Sequence, residues 1–263
     1  MNSPCNLNGL NILVTRPYEQ ALVLSELISK SHGRPVSFPT LEIIGPENKN
    51  QIRLKLSKLT EAHLLIFISP NAVKYSFPLM PDNIPSNLYI AAIGSTTAKV
   101  LYEHGLEPQI VPEANMDSEE LLSMLKKQKL DGRKILIIRG NQGRDYLKKG
   151  LEDLGAVTEY IEVYRTRIPE RDAKNLVDNW DKFVDVVTVT SVQILENLFI
   201  LTGDRGKEKI KKTPILVVSQ RLAEKAKLLG CKKIYIASSA NDENMMKGLC
   251  EAHKDLISKN NSD

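Results

Sequence analysis

The sequence predicts an α/β protein with parallel sheets, built as two related halves. Three observations predict it. Short runs rich in Ile and Val, bounded by Gly, Pro or Ser, alternate with longer amphipathic stretches, the pattern of successive βα units. The same order of segments then occurs twice along the chain. Helix starts carry a hydroxyl or a proline and helix ends carry glycine.

The first unit, "NILVTRPYEQALVLSELISKSHG" (11–33), reads as strand then helix, and "KILIIRGNQGRDYLKKGLEDLG" (134–155) repeats it. Ile12 falls on Ile135, Arg16 on Arg139 and Leu24 on Leu147, with Gly33 beside Gly155, an offset of 123. Next, "LLIFISPNAV" (64–73) repeats as "VVTVTSVQIL" (186–195) at offset 122, placing Ser69 on Ser191 just past each strand. The third pair is "AIGSTTAKVLYEHG" (92–105) and "VVSQRLAEKAKLLG" (217–230), with Ala98 on Ala223 and Gly105 on Gly230 at offset 125. A strand, "PQIVP" (108–112) or "KIYIA" (233–237), follows each glycine, then an Ala-Asn pair at 114–115 and 240–241.

Helix punctuation fits these units. Ser69 before Pro70 is a cap-then-N1 pair: the serine oxygen accepts an otherwise orphaned N–H, and proline has none to orphan. Gly33, Gly105, Gly155 and Gly230 each close a periodic segment, where a left-handed residue is wanted. Leu222, Ala223, Ala226 and Leu229 form one buried stripe. Two stretches fit neither half: "SFPTLEI" (37–43) and "IEVYRTRIP" (161–169), both extended and proline-marked, read as a paired connector. The expected division is residues 1–36 and 170–263 for domain 1, residues 43–161 for domain 2, and connector strands at 37–42 and 162–169.

Composition narrows the function. With 42% hydrophobic and 26% charged residues the chain is expected to fold throughout except at the tail "ISKNNSD" (257–263). No apolar run reaches the ~18–20 residues of a membrane span. The start "MNSPCNLNGLNILVTRP" lacks the basic-then-apolar order of a signal peptide, so a cytoplasmic protein is expected. Cys5, Cys231 and Cys250 form no CxxC pair and are odd in number, which predicts three free thiols. The four histidines show no metal-ligand spacing, so no metal is expected. The net charge of +4 suits an anionic small ligand, and the basic run "DRGKEKIKK" (204–212) reads as a solvated loop and helix end rather than a nucleic-acid patch.

In parallel sheets the loops after each strand gather at one edge, where ligands bind. Here they are Thr15-Arg16-Pro17, Ser69-Pro70-Asn71, Gly94-Ser95-Thr96-Thr97, Arg139 through Gly143, Thr190-Ser191 and Ser219-Gln220-Arg221. Small, hydroxylated and placed at helix N-termini, they offer N–H and O–H groups to carboxylate or phosphate. Each loop alone is equally read as a helix cap; the set favours a site. No phosphate-loop, dinucleotide or nucleophile-elbow motif is present, and "GNQG" (140–143) is too short for a phosphate loop. The inventory is rich in donors and poor in nucleophiles.

The ordered series "VTRP", "FISPNAV", "AIGSTTAKVLYEHG", "MDSEELL", "ILIIRG", "VYRT", "TVTS" and "VVSQRLAEKAKLLG" resembles the uroporphyrinogen III synthases over nearly the whole chain. The resemblance implies two flavodoxin-like parallel-sheet domains joined by a two-stranded connector, with the active site in the cleft between them. It implies a cofactor-free, cytoplasmic monomer of tetrapyrrole and heme biosynthesis, with no nucleic-acid or membrane partner and a transient contact with the preceding enzyme of the pathway. Its substrate would be hydroxymethylbilane, cyclised to uroporphyrinogen III. The terminal hydroxyl leaves, and the resulting cation attacks the substituted position of ring D through a spiro intermediate, inverting that ring. Unaided closure gives the uninverted isomer, so holding the chain in one fold is the enzyme's main task.

By the same resemblance Tyr164 of "VYRT" is the catalytic residue, its phenol hydrogen-bonding the departing hydroxyl. Thr97 and Ser191 match substrate-side donors, and Arg16 and Arg139 stand ready to clamp carboxylates. Ser69, Asn71, Gly94, Ser95 and Ser219 complete the expected substrate-binding set. Leu222 stands opposite Thr97 and cannot replace its hydrogen bond, so the halves would not share the ligand evenly. Alternatives stay open: either arginine bridging within its own domain, Tyr164 merely packing, a non-catalytic two-domain binder of an anionic metabolite, or an RNA-associated protein resting on 204–212 alone.

Overall fold

The computed structural model describes residues 5–113 and 117–260; the Ala114-Asn115 pair and residues 261–263 lie outside the described residues. Along the chain run β1 (Asn11–Val14), α1 (Tyr18–Lys30), β2 (Arg34–Ser37), β3 (Glu42–Ile44), α2 (Lys49–Leu56), β4 (Leu64–Phe67) and α3 (Pro70–Ser76). Then come β5 (Tyr89–Ala92), α4 (Ser95–Glu103), α5 (Ser118–Leu125), β6 (Lys134–Gly140), α6 (Tyr146–Glu152) and β7 (Val157–Arg167). The last part holds α7 (Lys174–Asp178), α8 (Trp180–Phe183), β8 (Val186–Thr188), α9 (Val192–Lys212), β9 (Ile215–Val217), α10 (Gln220–Leu228), β10 (Ile234–Ile236) and α11 (Asp242–Asn260). Contacts divide the chain into unit 1, Met1–Glu42 with Arg167–Asp263, and unit 2, Ile43–Thr166.

Unit 1 holds a five-stranded sheet in the order β2-β1-β8-β9-β10, with parallel ladders. Its central strands are largely apolar, with only Asn11 and Thr188 polar, because both faces are covered. Leu13, Val187, Ile215 and Val217 pack one face against Trp180, Leu198 and Leu222. The alternate residues Ile12, Val14, Val186 and Leu216 pack the other against Leu24, Ile28, Met245 and Leu249. Burying each such side chain contributes about 1.5–3 kcal/mol. Trp180, 1% exposed, keeps its indole N–H satisfied by donating to Thr213 Oγ1 at 2.9 Å.

Unit 2 repeats the scheme in the order β3-β7-β6-β4-β5, again with parallel ladders among β7, β6, β4 and β5. Leu65, Phe67, Leu136 and Ile138 face a cluster that includes Val73 of α3 and Leu101 of α4. Leu64, Ile66, Ile135 and Ile137 face Leu121, Leu125, Leu147 and Leu151 of α5 and α6. The expected strand–helix pairs all form, so the parallel α/β class stands.

Several local expectations are corrected. "PQIVP" makes only one bridge, Ala91 to Ile110, because Pro108 and Pro112 bracket it and leave few N–H groups to pair. The stretch 37–43 is strand only at its ends. Residues 38–41 turn inward, with Phe38 and Leu41 buried and Thr40 bonded to Ile194 O and by Asn197 Nδ2. The stretch 161–169 is not separate either, since 157–167 is one continuous strand. At the end of α1 the left-handed residue is His32 (φ 57°), not Gly33. Gly33 is needed for space, as a Cβ there would stand 2.8 Å from Ile28 Cγ2. Gly105, Gly155 and Gly230 do take positive φ.

The run 204–212 is entirely helical, beyond a kink at Gly203 in α9. Its charges are largely matched: Arg205 by Asp178 at 2.9 Å, Lys207 by Asp204 at 2.8 Å, Lys209 by Asp181 and Lys211 by Glu208 at 2.6 Å. The tail expected to be disordered from 257 continues α11 to Asn260. Nor are all cysteines free: Cys5 and Cys250, 245 residues apart, form a disulfide tying the N-terminal segment to α11. An odd count allows one bridge and one thiol. That thiol, Cys231, is buried, and burial pushes it up to about 11. Among the described residues no helix is long and apolar enough to cross a membrane.

Candidate active site

Parallel strands bring the carboxyl ends of β7, β6, β4 and β5 to one edge of unit 2, in that spatial order. Ser69 follows β4 in extended conformation, and its Oγ accepts the Ala72 N–H at 3.0 Å, capping α3. The same Oγ lies 3.2 Å from the phenol oxygen of Tyr164, on β7. The Tyr164 ring lies against the Cα of Gly140 and stands 5.8 Å from the ring of Tyr75, whose hydroxyl is anchored on Ile43 O at 2.9 Å. Asn141 closes the edge, taking Tyr164 O with its backbone N–H at 3.0 Å and the Thr166 N–H on its side-chain oxygen at 3.1 Å. Asn71 sits half-buried in the first turn of α3.

The hydroxyl cluster after β5 divides. Gly94 caps α4 without a side-chain bond, Ser95 is exposed on the first turn, and Thr97, two residues on, is buried at 2% exposure. The first turn of α4 thus presents backbone N–H groups.

Arg139, at the end of β6, is caged within unit 2. Its side chain is 5% exposed, donates through Nε to Gly140 O at 3.0 Å and stands 3.5 Å from Asp145. Its guanidinium covers the Tyr160 ring at 4.2 Å, and the Tyr160 hydroxyl donates to Asp145 at 3.1 Å. Burial first, and then the bond to Asp145, raises Tyr160 above the usual phenol value, with the Arg139 charge opposing. Gly143 (φ 137°) leaves room, since a Cβ there would stand 2.7 Å from Arg139 Nη2. A groove of about 580 Å³ lies alongside, lined by Arg139, Asn141, Lys148, Lys149, Tyr160 and Glu162.

The carboxyl edge of unit 1 is built from the same parts. Ser191 caps α9 by accepting Ile194 N–H at 3.2 Å, and Ser219 caps α10 by accepting Leu222 N–H at 3.3 Å. Each hydroxyl, having accepted, keeps its own proton to donate. Arg16, 8% exposed in its side chain, donates through Nη1 to Asp242 at 2.8 Å and to Gln20 O at 3.3 Å. Its Nε and Nη2 are buried with no hydrogen-bond partner. Buried donors without partners cost about 1–3 kcal/mol each, which marks Arg16 as a place where polar capacity is held in reserve.

Within unit 2 the structure thus brings Tyr164 and Ser69 into contact at one sheet edge. It sets both arginines against carboxylates of their own units, the alternative left open above. Asp242, Asp145 and Tyr160 were missed, and Gly140 stood in the expected edge loop without a role of its own. Asp242 lies 226 residues from Arg16 and gives no local signal. Gly140 stood in the short "GNQG" motif, where the cue was a glycine ending a strand rather than opening a phosphate loop.

Comparison with known proteins places the chain among relatives of one family. A family model described as uroporphyrinogen-III synthase HemD matches residues 23–247. The chain is 30% identical to the uroporphyrinogen-III synthase of Salmonella typhimurium over 245 residues, covering 91% of this chain and 100% of that protein. It is 30% identical to the Escherichia coli enzyme over 255 residues, with 91% and 100% covered. In fold it is similar to a crystal structure of a mutant uroporphyrinogen III synthase from Thermus thermophilus, at a TM-score of 0.64 and 17% identity over 95% of this chain and 99% of that one.

Proposed function

The chain belongs to the uroporphyrinogen-III synthase family, and from that premise we propose how its residues carry out the cyclisation. The protein is a cyclising hydro-lyase of tetrapyrrole biosynthesis acting on a small-molecule substrate. Its substrate is hydroxymethylbilane and its product uroporphyrinogen III. The two units, Met1–Glu42 with Arg167–Asp263 and Ile43–Thr166, each have the parallel-sheet architecture of a flavodoxin-like domain.

Tyr164 gives its phenolic proton to the terminal hydroxyl of the linear tetrapyrrole, which departs as water. The cation left behind is delocalised over its pyrrole and attacks the substituted carbon of ring D. The spiro intermediate reopens and recloses with ring D inverted, and the proton shed as the last pyrrole is restored returns to the phenolate. Atoms balance as substrate to product plus water. The acetate and propionate groups are received by hydroxyls and N–H groups at the carboxyl edges: Asn71 and the Gly94–Ser95–Thr97 turn on unit 2, Ser191 and Ser219 on unit 1, while Ser69 turns its hydroxyl to the phenol of Tyr164. Arg16 and Arg139 supply fixed positive charge. Donors outnumber bases, as suits a reaction whose difficulty is conformational. The protein works without cofactor as a cytoplasmic monomer, with transient contact to the enzyme that delivers its unstable substrate.

The observation that carries the reading of Tyr164 is its phenol, half-buried and held by Ser69 at the sheet edge. General acid assistance contributes about 10²–10⁴-fold, and a phenol falls at the low end. Tyr164→Phe is therefore expected to slow formation of isomer III at least about tenfold with an unchanged melting temperature. An unchanged turnover would remove the role assigned to the hydroxyl.

A further inference from the structure

In the unit 2 sheet β6 lies between β7, which carries Tyr164, and β4, which Ser69 follows, yet the two side-chain oxygens are 3.2 Å apart. The phenol must therefore cross a strand. Two backbone features permit it. The β6–β7 ladder slips at Arg139/Gly140: Arg139 pairs with Glu162, and Gly140 then pairs with Tyr164, skipping Val163. Such a bulge re-aims the side chain that follows it. The crossing point, moreover, has no side chain. A Cβ on Gly140 would stand 2.4 Å from Tyr164 Cε2, 2.6 Å from Cζ and 3.0 Å from Cδ2. Any other residue would collide with the ring itself, so this glycine serves close approach.

We infer that Gly140 is a positioning residue for the cyclisation, the bare floor of a slot across β6 that seats the Tyr164 ring, with Ser69 fixing its oxygen at the far end. This rests on the reading of Tyr164 as proton donor. Ser69 Oγ accepts the Ala72 N–H and still carries its own proton, and in the proposed arrangement it donates that proton to the phenol oxygen 3.2 Å away. The phenolic proton then stays outward for the leaving hydroxyl, and the serine bond remains to stabilise the phenolate. Tyr75 bounds the ring and is held by its own bond to Ile43 O.

The test compares Gly140→Ala, Tyr164→Phe and the double variant for kcat and KM on hydroxymethylbilane, together with fluorine spectra of protein carrying 3-fluorotyrosine. The Tyr164 line is assigned by its loss in Tyr164→Phe. Gly140→Ala should lower kcat about tenfold or more, leave KM within about twofold, and move the Tyr164 fluorine line. The double variant should be no slower than Tyr164→Phe, because both changes remove one function. A wild-type kcat with an unmoved line, or a double variant slowed by the product of the two factors, would overturn the inference. If Gly140→Ala does not fold, Ser69→Ala should slow turnover and Ser69→Thr, which keeps the hydroxyl, should restore it; equal slowing by both overturns it. Tyr164→Phe at wild-type rate would refute the donor reading alone, and the fluorine shift in Gly140→Ala still decides whether the slot exists.

Discussion

Opening the Cys5–Cys250 bridge should destabilise unit 1 by an amount that follows from chain length. The cysteines are 245 residues apart, and the loop-entropy relation gives on the order of 5 kcal/mol for a loop of that size. The dependence is logarithmic: if unit 2 stayed folded and halved the flexible length, the figure would fall by only about 0.6 kcal/mol. Measured values run lower than this relation, so about 2–4 kcal/mol is expected. Trp180 is the chain's one tryptophan and is buried in unit 1, so its fluorescence reports that unit during urea unfolding. With a slope of about 2 kcal/mol per molar urea, reduction should lower the midpoint by about 1–2 M. Cys250→Ser should match the reduced protein and respond to no reductant. Thiol titration gives the independent check: the unfolded, unreduced chain should show only Cys231, and the native protein at pH 8 should react slowly, since that thiol is buried and pushed up to about 11. Three thiols in the unfolded, unreduced chain with an unshifted midpoint would refute the reasoning.

Asp242→Asn should cost about 2–3 kcal/mol, because it weakens a charge-assisted bond and leaves the buried Arg16 guanidinium with less compensation; urea unfolding of the variant checks it. His63 yields a pH dependence. Burial, and then the charge of Arg133, lowers it below 6.5, so the unfolded chain binds the proton more readily than the folded one. Its contribution is complete above 6.5 and is lost as pH falls through the lowered folded value. Melting temperature should therefore drop between about pH 7.5 and 5.5, and His63→Gln should flatten that drop.

Much of this architecture was legible because it is local. Runs such as "LLIF" and "ILV" are buried on both faces of a parallel sheet, and Ser69, Ser191 and Ser219 cap their helices three residues ahead. Long-range pairing was illegible. Nothing near Cys5 points to Cys250, and nothing near Arg16 points to Asp242. At residue 33 the two roles of glycine were confused: His32 takes the left-handed turn while Gly33 clears Ile28 and Leu7. At the site, "VYRT" flags Tyr164 but not its seat, since the slip at Arg139/Gly140 and the bare Cα that admits the ring exist only once β6 and β7 are paired.

The ring-inverting cyclase is tested most directly by its product. Purified protein given freshly made hydroxymethylbilane, with the isomers then separated, should return uroporphyrinogen III well ahead of spontaneous closure. Isomer I alone, formed at the uncatalysed rate, would contradict it.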